Sequence, residues 1–128
     1  MAEYPEDLRY SIDHEWVRPG NEMVVRVGIT EYAAEQLGDI VYVQLPEVGE
    51  SLEAGDACGE LESTKSTSDL MAPVSGVVTA VNQTVADAPE NINADAFGDG
   101  WLFEMEIESA EELDELMDAD AYSEHVDS

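Results

Sequence analysis

The sequence predicts a mainly β fold, a small barrel or sandwich that carries two peripheral helices. Short segments of β-branched or alternating residues recur along the chain. Turn-forming residues separate them at intervals of about eight to twelve residues. The predicted strands cover residues 23–27, 40–45, 57–63, 76–81 and 101–108. The chain is 128 residues long, and that length fits one domain.

The clearest strand pattern lies in residues 101–108. There one face is formed by Trp101, Phe103, Met105 and Ile107, and the other by Glu104, Glu106 and Glu108. This period of two is typical of a strand that has one face in the core and the other in water. The segment is therefore predicted to be a half-buried strand.

Capping residues predict the two helices. Thr30 precedes residues 31–37 and Gly38 follows them, which are typical start and stop residues of a helix. Near the end of the chain, Ser109 and Glu112 have the spacing of a capping box and predict a final helix. Its apolar stripe would consist of Leu113, Leu116 and Met117.

The segments between these elements are predicted to be turns and one long loop. Residues 47–50 and 53–56 each hold a glycine near acidic residues, which indicates turns. Residues 82–100 are rich in Ala, Asn, Asp and Gly and predict a loop. A loop of this length in a compact domain is often functional.

The charge balance excludes several classes of partner. Asp and Glu number 31 against four Lys and Arg, so the formal net charge is −27. So acidic a surface repels nucleic acid and anionic membranes.

The sequence contains no apolar run of about 18 residues and shows no secretory signal. Because Cys58 is the lone cysteine, no internal disulfide can form, and the protein is predicted to be cytoplasmic.

The same charge predicts adaptation to salt. Apolar residues make up 44% of the chain and fall in patterned segments, which favours a folded protein over a disordered acidic chain. The acidic residues are spread along the whole chain and repel one another in dilute buffer. At about 1 M salt the Debye length falls to roughly 3 Å and screens that repulsion. We therefore expect a halophilic source.

Lys65 is the only lysine in the chain, and its neighbours predict an exposed turn. Small hydroxyl-bearing residues surround it, and apolar segments at residues 57–61 and 70–72 flank the turn. A lysine at such a hairpin tip projects a primary amine that can be acylated, which arginine does not offer. The arrangement suits a covalently attached swinging arm, which raises the effective concentration of its cargo at each partner. Composition alone is equally consistent with a chance surface lysine.

Over residues 8–122 the sequence resembles the H-protein family of the glycine cleavage system. The segments that carry the resemblance are YSIDHEW (10–16), VGIT (27–30), GDIVYV (38–43), LP (45–46), ESTK (62–65), APVSG (72–76), VN (81–82) and GWL (100–102). Their order and distances make the match specific. The resemblance implies a lipoyl/biotinyl-type barrel-sandwich hybrid with short peripheral helices, including a C-terminal helix, as a single carrier domain over residues 1–128.

The resemblance also implies a function. Lipoate in amide linkage to Lys65 would accept an aminomethyl group from glycine decarboxylase and present it to aminomethyltransferase. Dihydrolipoamide dehydrogenase would reoxidise the arm, and a lipoate-attaching enzyme would load Lys65 beforehand. The chain would thus be a non-catalytic carrier in glycine catabolism and one-carbon metabolism.

In the family, the loaded arm folds into a pocket that excludes water, because the aminomethyl group would otherwise hydrolyse. A carboxylate in such a pocket can pair with the ammonium of the cargo. By position, the resemblance assigns Glu15 and Asp69 to this pocket. Asp13 is a further candidate and stands where the family often has Ser.

Other functions are also consistent with the residues. A biotinyl domain shares the hairpin lysine, but that lysine typically lies between methionines, whereas Thr64 and Ser66 flank Lys65. A lipoate-relay protein or an unmodified binding module would keep the fold and leave Lys65 bare or only transiently modified. An enzyme is the least favoured class, because no nucleophile–base pair or metal cluster is evident.

Several residues that can carry chemistry are expected to be structural. Cys58 falls in a predicted strand and is expected to be a small buried residue rather than a nucleophile. The only histidines, His14 and His125, lie far apart in the chain, so a histidine-rich metal site is not expected. Trp16 and Trp101 are expected to lie in the core.

Overall fold

The computed structural model describes residues 6–12, 14–20, 23–109 and 111–127. In this part of the chain the strands are β1 (Arg9–Tyr10), β2 (Glu15–Pro19), β3 (Val24–Ile29), β4 (Ile40–Gln44), β5 (Ser51–Leu52), β6 (Ala57–Ser63), β7 (Thr67–Met71), β8 (Gly76–Val81) and β9 (Phe103–Ile107). The helices are α1 (Glu31–Leu37), α2 (Gln83–Asp87), α3 (Glu90–Ala94), α4 (Glu111–Asp114) and α5 (Ala119–Asp127). No helix in the described ranges is long and apolar enough to cross a membrane.

The strands form two antiparallel sheets that share one hydrophobic core. The larger sheet has the order β1-β2-β3-β9-β8-β5, and the smaller has the order β4-β6-β7. Buried side chains from both sheets meet in the core, among them Val27 and Met105 from the larger and Leu61 and Leu70 from the smaller. The mainly β fold with short helices, including one at the C-terminus, is therefore confirmed.

A second cluster of buried side chains covers the other face of β1 and β2. Trp16 and Tyr10 pack there against Tyr122 of α5, and all three are fully buried. The Trp16 indole also donates a hydrogen bond to the Ala96 carbonyl at 2.8 Å. Because side chains alternate along a strand, Glu15 and Val17 point the opposite way, toward the space between the sheets.

Most of the predicted elements are confirmed by the structure. The predicted bounds of α1, β6 and β8 are the observed ones, and the ends of the other predicted strands differ by at most two residues. Thr30 caps α1 by accepting a hydrogen bond from the Ala33 N–H at 3.2 Å. Gly38 ends the helix at a φ of 89°, a conformation that favours glycine. Gly49 and Gly55 lie in the two predicted turns, also with positive φ.

The prediction of one loop over residues 82–100 is wrong, because the segment holds two short helices. Asn82 caps α2 through its side-chain oxygen, which accepts a hydrogen bond from the Thr84 N–H at 3.2 Å. Its amide nitrogen donates to the carbonyls of Asp99 and Trp101. The buried Asn82 side chain therefore caps α2 and also binds the backbone at the end of the same segment. The polar composition of the segment did not indicate either role.

The prediction of one continuous final helix is also wrong. Met117 forms two backbone hydrogen bonds with Tyr10, both of 2.8 Å, and this bridge separates α4 from α5. Glu112 does not complete the capping box, because its carboxylate accepts hydrogen bonds from the backbone and hydroxyl of Ser75. Asp118 then caps α5 by accepting from the Ala121 N–H at 2.8 Å. Long-range contacts thus outweigh a local helix pattern here.

Candidate functional site

Lys65 lies in a turn that joins β6 to β7, as predicted. The Ser63 hydroxyl organises this turn: it accepts hydrogen bonds from the N–H groups of Lys65 and Ser66 and donates to the Ser66 carbonyl. The Ser63 N–H also donates to the Ser66 carbonyl at 2.8 Å. Lys65 itself is exposed. The turn therefore has a defined backbone and presents the lysine side chain to solvent.

The turn is anchored to the segment that follows α1. The Thr64 N–H donates to the Asp39 carbonyl at 3.1 Å. Asn93 of α3 holds both sides of Asp39, since its amide nitrogen donates to the Gly38 carbonyl and its oxygen accepts from the Ile40 N–H, each at 2.9 Å. The lysine turn is therefore connected through hydrogen bonds to two helices as well as to its own hairpin.

The lysine side chain lies against Gly38. A Cβ atom at Gly38 would be 3.3 Å from Cε of Lys65, which is closer than ordinary packing. Glycine is also needed at this position because φ is 89°. The absence of a side chain at Gly38 therefore leaves room for the aliphatic part of Lys65 directly after Leu37, the last residue of α1.

A cleft of about 250 Å³ opens between α1, the start of β2 and the β6–β7 hairpin. Its apolar lining includes Ile29, Leu37 and Leu61, and its polar lining includes Glu15, Ser68 and Asp69. An arm attached to Lys65 would thus find apolar walls for its stem and carboxylates for a cationic end. The residues present fit a lipoyl arm.

The structure brings two of the three predicted pocket residues together. Glu15 is only 2% exposed, and its Oε1 accepts a hydrogen bond of 2.6 Å from the Ser11 hydroxyl. Asp69 lies at the more exposed edge of the same cleft. Asp13 lies outside the described residues.

Sequence reasoning missed several side chains of the cleft. His14, Tyr32 and Gln36 line it, as does Ser68. Only the YSIDHEW segment gave a signal for His14. The lining residues of α1 gave none, because a surface helix and a cleft wall have the same local pattern.

The two histidines are close together in the structure, although they lie far apart in the chain. The ring centroids of His14 and His125 are 5.6 Å apart, and the Tyr32 ring lies 5.0 Å from His14 on the other side. Distance along the chain therefore does not decide whether these two rings meet. Among the described residues, no three His, Cys, Asp or Glu side chains form a group that could hold a metal ion.

Cys58 is buried, as predicted. Burial raises the pKa of its thiol from 9.0 to about 12, and the nearby carboxylates of Glu15 and Glu50 add to the effect. The neutral thiol is therefore the stable form, and a nucleophilic role is disfavoured. Cys58 is not among the residues that line the cleft.

The raised pKa of Cys58 predicts a loss of stability at alkaline pH. Above pH 9 the unfolded state releases the thiol proton, while the folded state keeps it up to about pH 12. This contribution to stability is therefore complete below pH 9 and is lost as the pH rises toward 12, by up to about tenfold in the folding equilibrium per pH unit. Denaturant titrations of wild type and Cys58→Ala in molar salt measure it. The variant should lose less stability than wild type between pH 9 and 11, and parallel profiles would contradict the assignment.

An antiparallel sandwich with its only lysine at an ordered hairpin tip, beside a cleft with carboxylates, is typical of carrier proteins that bear a covalently attached arm. The family model described as Glycine cleavage H-protein matches residues 8–128, and the chain belongs to this family.

Known proteins support the same assignment. The chain is 50% identical over 127 residues to the glycine cleavage system H protein of Shewanella frigidimarina, covering 99% of this chain and 98% of the relative. It is 54% identical over 126 residues to that of Nocardia farcinica, with 95% and 96% covered. The crystal structure of a glycine cleavage system H protein from Mycobacterium marinum superposes with a TM-score of 0.89 at 45% identity, covering 98% of this chain and all of that one.

As a member of this family, the protein is a lipoyl carrier of the glycine cleavage system and not a catalytic enzyme. It works with glycine decarboxylase, aminomethyltransferase and dihydrolipoamide dehydrogenase. When bound, lipoate would supply the disulfide that takes up the aminomethyl group, and dihydrolipoamide dehydrogenase would reoxidise the dithiol that remains after transfer.

Proposed function

We propose that Lys65 is the residue that bears lipoate and that the cleft beside it receives the loaded arm. The observation that carries this proposal is the position of the chain's only lysine, on a hydrogen-bonded hairpin tip and against Gly38. The amine is exposed, so a lipoate-attaching enzyme can reach it. The neighbouring cleft is close enough to hold the stem of the arm once it is attached.

Two carboxylates of the cleft are proposed to hold the cationic end of the cargo. Glu15 is buried and lines the cleft, and the Ser11 hydroxyl orients its carboxylate through a hydrogen bond. Asp69 offers a second carboxylate at the rim. Removal of water around a charge-assisted hydrogen bond strengthens it. Asp13 is proposed as a further contact, and only the family resemblance supports it.

Intact mass with peptide mapping of the protein purified from its own cells in high salt tests the attachment. A lipoyl-sized addition on Lys65 is the expected result. A biotin-sized addition would assign the protein to carboxyl transfer. A bare Lys65 in lipoate-replete cells would contradict the proposal and favour an unmodified binding module or a transient lipoate relay.

A double substitution tests the cleft. Glu15→Gln with Asp69→Asn should speed hydrolysis of the loaded arm at least about tenfold, because a charge-assisted hydrogen bond contributes about 1.5–3 kcal/mol and tenfold corresponds to about 1.4 kcal/mol. Release of ammonia and formaldehyde from the loaded protein measures the rate. The matched control, Glu53→Gln with Glu106→Gln, removes two charges from exposed positions outside the cleft. Equal rates in both variants would argue against the assignment.

The setting of the protein is also part of the proposal. We propose a halophilic source and a cytoplasmic location, with residues 1–128 acting as one carrier domain. The net charge of −27 supports the halophilic source. The sequence carries one cysteine, in keeping with a reducing compartment.

A further inference from the structure

Tyr122 of the C-terminal helix connects the two walls of the cleft. Its hydroxyl oxygen lies 2.8 Å from Nδ1 of His14 and 2.8 Å from Oγ1 of Thr30. His14 lines the cleft beside Glu15, and Thr30 caps the helix α1, which forms another wall of the cleft. A hydroxyl has one hydrogen and can accept more than one hydrogen bond, so it donates to at most one of these atoms and can bond to both.

The position of Tyr122 is tightly constrained. The residue is fully buried, and its ring stacks on that of Tyr10 with centroids 4.7 Å apart and planes 13° apart. The Tyr122 N–H donates to the Asp118 carbonyl in the first turn of α5. The hydroxyl is therefore held in place by both the helix and the ring stack, so it can act as a fixed point for the cleft.

On one wall, Tyr122 acts on the turn that aims Glu15. His14 adopts a φ of 69°, an uncommon conformation for a residue with a side chain. Its N–H donates to the Ser11 carbonyl at 3.1 Å. The Ser11 hydroxyl in turn donates to the Glu15 carboxylate. The contact with Tyr122 supports this conformation and hence the direction in which Glu15 enters the cleft.

On the other wall, Tyr122 acts on the start of α1. Thr30 is fully buried, and its hydroxyl also accepts the capping hydrogen bond from Ala33. The Thr30 N–H donates to the His14 carbonyl at 2.9 Å, so the two walls also meet through their backbones. Tyr32, Ala33 and Leu37 of this helix line the cleft.

We propose that Tyr122 is a positioning residue for the loaded arm. Its hydroxyl sets the separation of the two cleft walls, so that Glu15 faces the end of the arm while α1 covers its stem. The C-terminal helix thereby contributes to protection of the cargo without lining the cleft. This inference rests on the proposed function of the cleft.

Tyr122→Phe tests the inference, because it removes the hydroxyl and keeps the stacked ring. Hydrolysis of the loaded arm should rise about two- to tenfold, the range that corresponds to the loss of one hydrogen bond between neutral groups. The rate at which Lys65 is lipoylated should stay unchanged, because the described contacts of the Lys65 turn do not include Tyr122.

A second measurement needs no lipoate. In the unmodified protein, amide hydrogen exchange should become faster at Thr30 and Ala33, whose N–H groups bond to His14 and to Thr30. Exchange at Ser63, in the lysine turn, should not change. Thr30→Val supplies a coupling test: it already removes the hydrogen bond between Thr30 and Tyr122, so Tyr122→Phe should raise hydrolysis less in that background than in wild type, through loss of the contact with His14 alone.

The control variant is Val78→Ala, which truncates a buried side chain on β8, outside the cleft lining. If it speeds hydrolysis as much as Tyr122→Phe does, the effect is general loss of stability and the inference is wrong. The inference is also wrong if the loaded arm of Tyr122→Phe hydrolyses at the wild-type rate while that of Glu15→Gln with Asp69→Asn hydrolyses faster. If neither variant alters hydrolysis, the proposed cleft function itself fails.

Discussion

Lys65→Arg should abolish attachment of lipoate and reduce glycine cleavage in a reconstituted system to background. Arginine keeps the charge but has no primary amine that can be acylated. The variant should fold normally, because Lys65 is exposed and the described hydrogen bonds of its turn use the backbone and Ser63. Intact mass, circular dichroism and activity of the reconstituted system measure these three expectations.

A variant of identical composition provides the control for position. Lys65→Arg combined with Arg18→Lys moves the chain's only lysine to an exposed site on β2. This protein should also stay unmodified, because our proposal requires the lysine to stand at the hairpin tip for attachment. A lipoyl-sized addition on the moved lysine would show that exposure alone is sufficient and would contradict the role of the turn.

The free energy of unfolding should increase strongly between millimolar and molar salt. The structure locates one source of the repulsion: Glu60 and Asp69 face each other directly on β6 and β7. Like charges at such a cross-strand pair are destabilising by about 0.2–1 kcal/mol. Within the described residues the one ion pair is Arg26 with Glu104, at 3.0 Å. Among the described residues, few ion pairs therefore offset the repulsion between the carboxylates.

Glu60→Gln isolates this pair. It should stabilise the fold by about 0.2–1 kcal/mol in dilute buffer and have little effect at about 1 M salt, where the Debye length is roughly 3 Å. The matched control is Glu106→Gln, because Glu106 faces Val24 and Val77 on its neighbouring strands. Denaturant titrations at low and high salt measure both variants. A wild type whose stability is the same at both salt concentrations would contradict the proposed salt adaptation.

Where short-range chemistry decided the structure, the sequence was sufficient to predict it. The Thr30 cap and the Gly38 stop define α1, and the alternation at Phe103, Met105 and Ile107 defines β9. The hydroxyl-rich turn around Lys65 was likewise predictable, because Ser63 supplies its hydrogen bonds from within the turn. The net charge, and with it the expected response to salt, also follows from the residues themselves.

Only the tertiary structure determined which distant residues meet. The bridge between Tyr10 and Met117 divides the predicted final helix, and a contact between Glu112 and Ser75 replaces its capping box. Glu15 and Asp69 line one cleft although β2 and β7 belong to different sheets, which no local pattern in the sequence indicates. Tyr122 reaches His14 because the bridge sets where α5 begins. Local propensities act over a few residues, whereas these contacts depend on sheet register and on packing between distant segments of the chain.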